Sequence, residues 1–209
     1  MKLNTVRLRV MLGFLAILLP IIVLSLSLIF GYGIPHSISA TYYLPPCITP
    51  FMIILGASSI MLMAYRGYTK VDDIILTCAG IMGLLICLCP CSDTALAFVG
   101  TFMLSVAISS MIHNIAAIIF FVLLAYNSIF LFTKTDGNMT RNKKIRNIIY
   151  IICGIGMIAS FGILLLPWFH GQILVTEAVA LFFFGVSFLT KADAFKILFC
   201  DTKFNEADD

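Results

Sequence analysis

The sequence is poor in charged residues, and the few that it has are unevenly spread. Only 11% of the 209 residues are Asp, Glu, Lys or Arg, whereas about 25% is usual in a soluble domain. None of these four residue types occurs between Arg9 and Arg66, and 61% of the chain is apolar. This lack of charge excludes an ordinary water-soluble domain and predicts a protein of the lipid bilayer.

Two further absences narrow the class of protein. The net charge is only +3, and the basic residues occur as separate groups without a continuous stripe, so a nucleic-acid partner is not expected. The first three apolar stretches do not resemble the last three, which disfavours a transporter built from inverted repeats. We expect a membrane lipid as the partner, and a homo-oligomeric state stays open.

Six apolar stretches are long enough to cross a bilayer as helices. They predict an all-α, polytopic six-helix bundle that forms a single transmembrane domain over residues 1–209. The expected spans lie near 10–30, 47–65, 74–91, 113–132, 148–167 and 173–190.

The basic residues predict the orientation of this bundle. Short cytoplasmic loops retain Lys and Arg, and the six-span topology places all 13 of these residues on one side. Both termini are therefore expected in the cytoplasm, and the membrane is expected to be a bacterial cytoplasmic membrane.

The uncharged stretch 94–132 is long enough for two helices. A seventh span over 94–112 would leave five basic residues inside and place eight outside, which disfavours it. We expect this segment to form an extra interfacial or re-entrant helix on the outer face. Thr101, Ser105 and Ser109 recur every four residues and would give that helix a polar stripe.

The predicted topology gathers the remaining ionisable side chains on the outer side. Glu177 follows His170 by seven residues, which places it about 10 Å below the outer rim of the last span. A carboxylate at that depth costs about 2.5 kcal/mol or more, so it should find a partner, for which His170, His113 and Asn114 are the candidates. The alternative is a neutral Glu177 that bonds a neighbouring helix as part of the packing.

Three histidines on the same side could also bind a metal. His36, His113 and His170 would be zinc ligands, with Glu177 or Asp93 as the general base. No local ligand spacing supports this set, and ordinary hydrogen-bonded histidines are the simpler interpretation.

The outer side also carries cysteines and hydroxyl groups. Cys47 could form a disulfide with Cys89 or Cys91 in an oxidising exterior. Ser37 and Ser39 of the first outer loop could bond lipid headgroups or a substrate, within a turn-rich segment that we expect to fold back over the bundle.

Two short motifs resemble a known family. The segment Pro35-His36-Ser37-Ile38-Ser39 and the segment that begins Ile112-His113-Asn114-Ile115 are similar to those of the six-span DRAM and Sfk family, which includes a remodeller of GPI-anchor lipids and bacterial proteins of unknown function. The resemblance implies a polar outer pocket connected with lipid. A more distant likeness to alkaline-ceramidase-type membrane hydrolases implies zinc, although their two histidines one turn apart in the last span are missing here.

The sequence therefore favours an outer-face polar cavity that binds a lipid or lipid-like ligand. Its expected lining is His36, Ser37, Ser39, Asp93, His113, Asn114, His170 and Glu177. A metal-dependent membrane lipid hydrolase that uses the same residues is one alternative, and a structural or assembly subunit is another.

Overall fold

The computed structural model describes residues 2–91, 97–135, 140–166 and 171–194. Its long helices are α1 (Lys2–Ile29), α2 (Pro45–Ala64), α3 (Lys70–Leu88), α4 (Val106–Tyr126), α5 (Arg141–Ala159) and α6 (Gln172–Lys191). A π-helical turn extends α4 to Leu131, and a 3-10 turn extends α5 to Leu165. All six are long and apolar enough to span a membrane, which confirms the expected six-helix membrane bundle.

The six helices form a closed ring. Each helix packs against the next one along the chain, and α6 returns to pack against α1. Because consecutive helices are antiparallel neighbours, the described parts of the loops lie at one end of the bundle or the other. Aromatic side chains fill part of the interior, where Phe120, Phe184 and Phe188 make successive edge-to-face contacts.

The contact between α1 and α6 depends on two glycines. A Cβ atom on Gly185 would lie 2.7 Å from the carbonyl oxygen of Gly13, and a Cβ atom on Gly13 would lie 2.9 Å from the carbonyl oxygen of Gly185. Small residues allow such close approach of the backbones of membrane helices. The two glycines therefore fix how closely the first and last helices pack.

One end of the bundle carries the basic side chains that connect the helices. Arg9 near the start of α1 donates from Nε to the Tyr65 hydroxyl, 2.8 Å away, after the end of α2. Lys134, after α4, lies 2.9 Å from Asp72 in the first turn of α3. We call this end of the bundle the basic end. That the basic end faces the cytoplasm stays a prediction.

The extra outer helix expected over 94–112 is not formed by the described residues. Residues 97–105 instead contain a short antiparallel hairpin, β1 (Phe98–Val99) and β2 (Leu104–Ser105), and α4 already begins at Val106. Gly100 has a φ of +73°, and a Cβ atom on it would lie 2.6 Å from the Leu88 carbonyl oxygen. Since an α-helix requires negative φ, the turn at this glycine breaks the expected helix.

Candidate functional site

The carboxylate of Glu177 is held by the loop between α1 and α2. Its Oε2 accepts a hydrogen bond from the backbone N–H of Ile38 at 2.5 Å, with a longer contact of 3.4 Å to the N–H of Ser39. Its Oε1 accepts a bond of 2.9 Å from the Ser39 hydroxyl. Three donors therefore meet one carboxylate, which ties the loop to α6. The partners expected from the sequence, His113 and Asn114, do not make these bonds.

The loop reaches Glu177 because its own backbone is turned and bonded locally. Gly31 and Gly33 have φ values of +79° and +75°, and the Ser27 hydroxyl donates to the Gly33 carbonyl at 2.7 Å. Further along, the Ser37 hydroxyl accepts from the N–H of Ala40 at 2.8 Å and supports a 3-10 turn over Ser39–Tyr43. The loop thus folds back over the bundle, as its turn-forming residues predict.

A cavity of about 400 Å³ lies directly inside this contact. Its polar lining comes from Ser39, Asn114, Thr176 and Glu177. The rest of the lining is mainly apolar and includes Leu19, Phe51, Leu55, Ile86, Phe121 and Leu181. A pocket that is largely apolar with a few polar groups is typical of small-molecule sites. The loop and Glu177 form one wall of this cavity.

Part of the cavity lining is exposed on the side of the bundle. Ile118 on α4 and Leu164 in the 3-10 turn after α5 both line it, and they are 53% and 41% exposed. Residues on the outside of a membrane bundle face lipid. In the part of the chain that the structure describes, the cavity therefore has its mouth between α4 and the end of α5, at the level of the spans.

His113 has a different position from the one that the sequence favours. Its side chain is 2% exposed, and Nδ1 lies 2.9 Å from the Cys89 carbonyl oxygen. Ser109, one turn earlier, donates from its hydroxyl to the Pro90 carbonyl at 2.9 Å. These two side chains attach α4 to the backbone that follows α3, and His113 is not part of the cavity lining.

Of the three expected zinc ligands the structure describes only His36 and His113, so the zinc site stays a prediction. No group of three or more His, Cys, Asp and Glu side chains in the described ranges could hold a metal ion. His36 is exposed in the loop between α1 and α2 and is not part of the cavity lining. Asp93 and His170 lie outside the described residues.

Cys47 is a free thiol in the structure, so the bridge expected from it to Cys89 or Cys91 is not formed there. Its Sγ lies 3.4 Å from the Val23 carbonyl oxygen, in the packed interior. Cys89 is 2% exposed, and burial raises the pKa of its thiol. Cys47 and Cys89 are thus both buried within the described part of the chain.

The structure thus brings together only part of the expected site. Ser39, Asn114 and Glu177 line one cavity, whereas Ser37 supports the turn and His36 and His113 lie elsewhere. Sequence reasoning missed Thr176 and the N–H of Ile38. The position of Thr176 next to Glu177 in the sequence could have indicated Thr176. A backbone N–H such as that of Ile38 cannot be recognised from the sequence.

Comparison of the chain with protein-family models, with curated proteins and with solved structures gives no match. The resemblance to the DRAM and Sfk family therefore stays a prediction. Any proposal for the function rests on the geometry of the cavity.

Proposed function

We propose that this membrane protein binds a lipid or a lipid-like molecule in the cavity beside Glu177. The observation that carries the proposal is the mouth of the cavity, which is formed by the exposed residues Ile118 and Leu164 at the level of the spans. A ligand that enters there comes from the bilayer, because that surface of the bundle faces lipid.

The lining matches the two chemical parts of such a ligand. The apolar side chains deep in the cavity would contact an acyl chain, and burial of apolar surface supplies the main driving force. The polar group of the ligand would lie near Ser39, Asn114 and Thr176, whose side chains can donate or accept hydrogen bonds. Glu177 already holds the loop, and its remaining lone pairs favour a ligand with a hydroxyl, amide or amine donor.

The test is lipid retention by a variant with a filled cavity. In Ala117→Trp, an indole on α4 replaces a methyl group that lines the cavity. The matched control is Ile115→Trp, on the same helix at a position that is 51% exposed and does not line the cavity. Both variants are purified in mild detergent, and bound lipid is quantified by native mass spectrometry and by lipid extraction.

We expect the wild type and Ile115→Trp to retain lipid to the same extent and Ala117→Trp to retain at least tenfold less. If the wild type retains no lipid, or if both tryptophan variants retain the same amount, the proposal is wrong.

A further inference from the structure

A second cavity, of about 340 Å³, lies at the basic end of the bundle. Five cationic side chains line it: Arg9 from α1, Lys134 from the segment after α4, Lys143 and Arg146 from α5, and Lys191 from α6. The hydroxyl groups of Thr69, Thr135 and Tyr68 add further polar lining. This cavity and the cavity beside Glu177 lie at opposite ends of the bundle. The helices at the basic end bring together residues that are far apart in sequence.

The cations are fixed in position around the cavity. The ammonium groups of Lys143 and Lys191 both donate to the Phe132 carbonyl oxygen, at 3.0 and 3.2 Å. The Lys191 ammonium also lies 4.9 Å from the centre of the Tyr68 ring and 5.8 Å from that of Tyr150. The two ammonium groups are therefore held close together by one oxygen and by aromatic rings, although like charges repel each other.

The carboxylates of the described residues do not balance this charge. Asp193, which also lines the cavity, is paired with Arg146, and Asp72 beside the cavity is paired with Lys134. Arg9 donates to the neutral hydroxyl of Tyr65 and to the Lys191 carbonyl oxygen. Among the described residues, five basic side chains thus face two carboxylates, and an anion in the cavity would reduce this imbalance.

The chemistry of the donor groups indicates which anion the cavity would bind. Guanidinium groups match the oxygens of a phosphate in a bidentate fashion, ammonium groups act as point charges, and hydroxyls add single bonds. Basic pockets between membrane helices on the cytoplasmic side are known to hold phosphate-bearing lipid headgroups. We propose that the cavity at the basic end is a binding site for a phosphate group, presented either by an anionic membrane lipid or by a soluble phosphate compound.

Binding is measured on the full chain in nanodiscs of neutral phosphatidylcholine. One arm adds inorganic phosphate and pyrophosphate, with chloride as the control ion, and follows thermal unfolding. The other arm replaces part of the phosphatidylcholine with phosphatidylglycerol, and native mass spectrometry counts the lipid that stays bound. Stabilisation in the first arm identifies a soluble phosphate ligand, and selective retention in the second identifies a lipid headgroup.

The variants separate the cavity from general attraction of charge. Lys143→Gln and Lys144→Gln each remove one positive charge from adjacent positions on α5, but only Lys143 lines the cavity and Lys144 is exposed. We expect Lys143→Gln and Lys191→Gln to weaken binding at least tenfold and Lys144→Gln to change it less than twofold. Lys191→Arg keeps the charge and should keep binding within about threefold.

Two results would overturn the proposal. One is that neither the phosphates nor phosphatidylglycerol bind to the wild type. The other is that Lys144→Gln weakens binding as much as Lys143→Gln does, since this would indicate attraction to the whole basic surface. If Lys191→Gln fails to fold, the Lys143 and Lys144 pair still decides the question.

Discussion

Replacing Glu177 with leucine should release the loop between α1 and α2 from the bundle. The two short hydrogen bonds to the carboxylate, of 2.5 and 2.9 Å, join it to the N–H of Ile38 and to the hydroxyl of Ser39. Bonds to a charged group contribute about 1.5 to 3 kcal/mol each, so the pair contributes about 3 to 6 kcal/mol. Leucine removes both bonds at once.

The cost of placing a carboxylate inside the bundle works in the opposite direction. That cost is about 2.5 kcal/mol at the depth of a span, and leucine removes it. The attachment of the loop should therefore weaken by about 2 kcal/mol in Glu177→Leu, which is roughly a thirtyfold shift towards the open loop. Glu177→Gln should have a smaller effect, because the amide oxygen can still accept from Ile38 and the amide nitrogen can donate to the Ser39 oxygen.

Amide hydrogen exchange in nanodiscs measures this shift directly, in peptides that cover residues 34–43. We expect exchange at Ile38 and Ser39 to become roughly thirtyfold faster in Glu177→Leu. The matched control is Thr176→Val, the preceding residue, whose hydroxyl bonds the Ser160 carbonyl and not the loop. A change of less than threefold in Glu177→Leu, or an equal change in Thr176→Val, would refute the reasoning.

Three further variants and one control variant test the packing of the helices. Gly185→Ala should lower the free energy of unfolding by about 1 to 3 kcal/mol, because its Cβ would meet the Gly13 carbonyl. The control Gly56→Ala, which has open space around its Cβ, should not lower the free energy of unfolding. Thermal unfolding in detergent compares the two variants. Asn127→Leu should keep or raise the unfolding temperature, because the buried amide finds no partner among the described residues. His113→Ala should lower the free energy of unfolding by about 1 to 3 kcal/mol, since a buried carbonyl loses its partner; equal stability in denaturant titration would contradict this.

The six helices could be predicted because their signal is local. About 20 consecutive apolar residues are enough to indicate a span, whatever the rest of the chain does. The start of α3 also has a local signal, since Thr69 and Asp72 form a capping box with reciprocal hydrogen bonds. Such features depend only on residues within one or two helical turns of each other.

The sequence does not predict the hairpin after α3, because the four-residue spacing of its hydroxyl side chains is compatible both with a helix and with the hairpin. Thr101, Ser105 and Ser109 recur every four residues, and this spacing predicts a helix with a polar stripe. In the structure Ser105 precedes the first turn of α4, and Ser109 bonds the Pro90 carbonyl. Gly100 was the signal against a helix here, because glycine favours the positive φ that this turn requires.

The side chains of Ser39, Asn114 and Glu177 in the candidate site could be predicted, but the backbone contact of Glu177 could not. Glu177 was identified because an acidic residue deep in a span is rare and requires a partner. That partner is mainly backbone, and the N–H of Ile38 is 139 positions away in the sequence. Every residue except proline has a backbone N–H, so neither composition nor spacing distinguishes the one that Glu177 binds.

The contact at Glu177 couples the proposed ligand to the loop. Ile38, Ser39 and Glu177 line the cavity, and the same three residues form the hydrogen bonds that close the loop over it. A ligand that displaces the Ile38 or Ser39 donor from Glu177 would open the loop, whereas a ligand that uses only the remaining lone pairs of Glu177, Asn114 or Thr176 would leave the loop closed. Because linkage is reciprocal, the change that a ligand causes in loop exchange equals the change that loop closure causes in ligand affinity. The exchange rate at Ile38 thus reports which polar groups of the cavity a bound lipid uses.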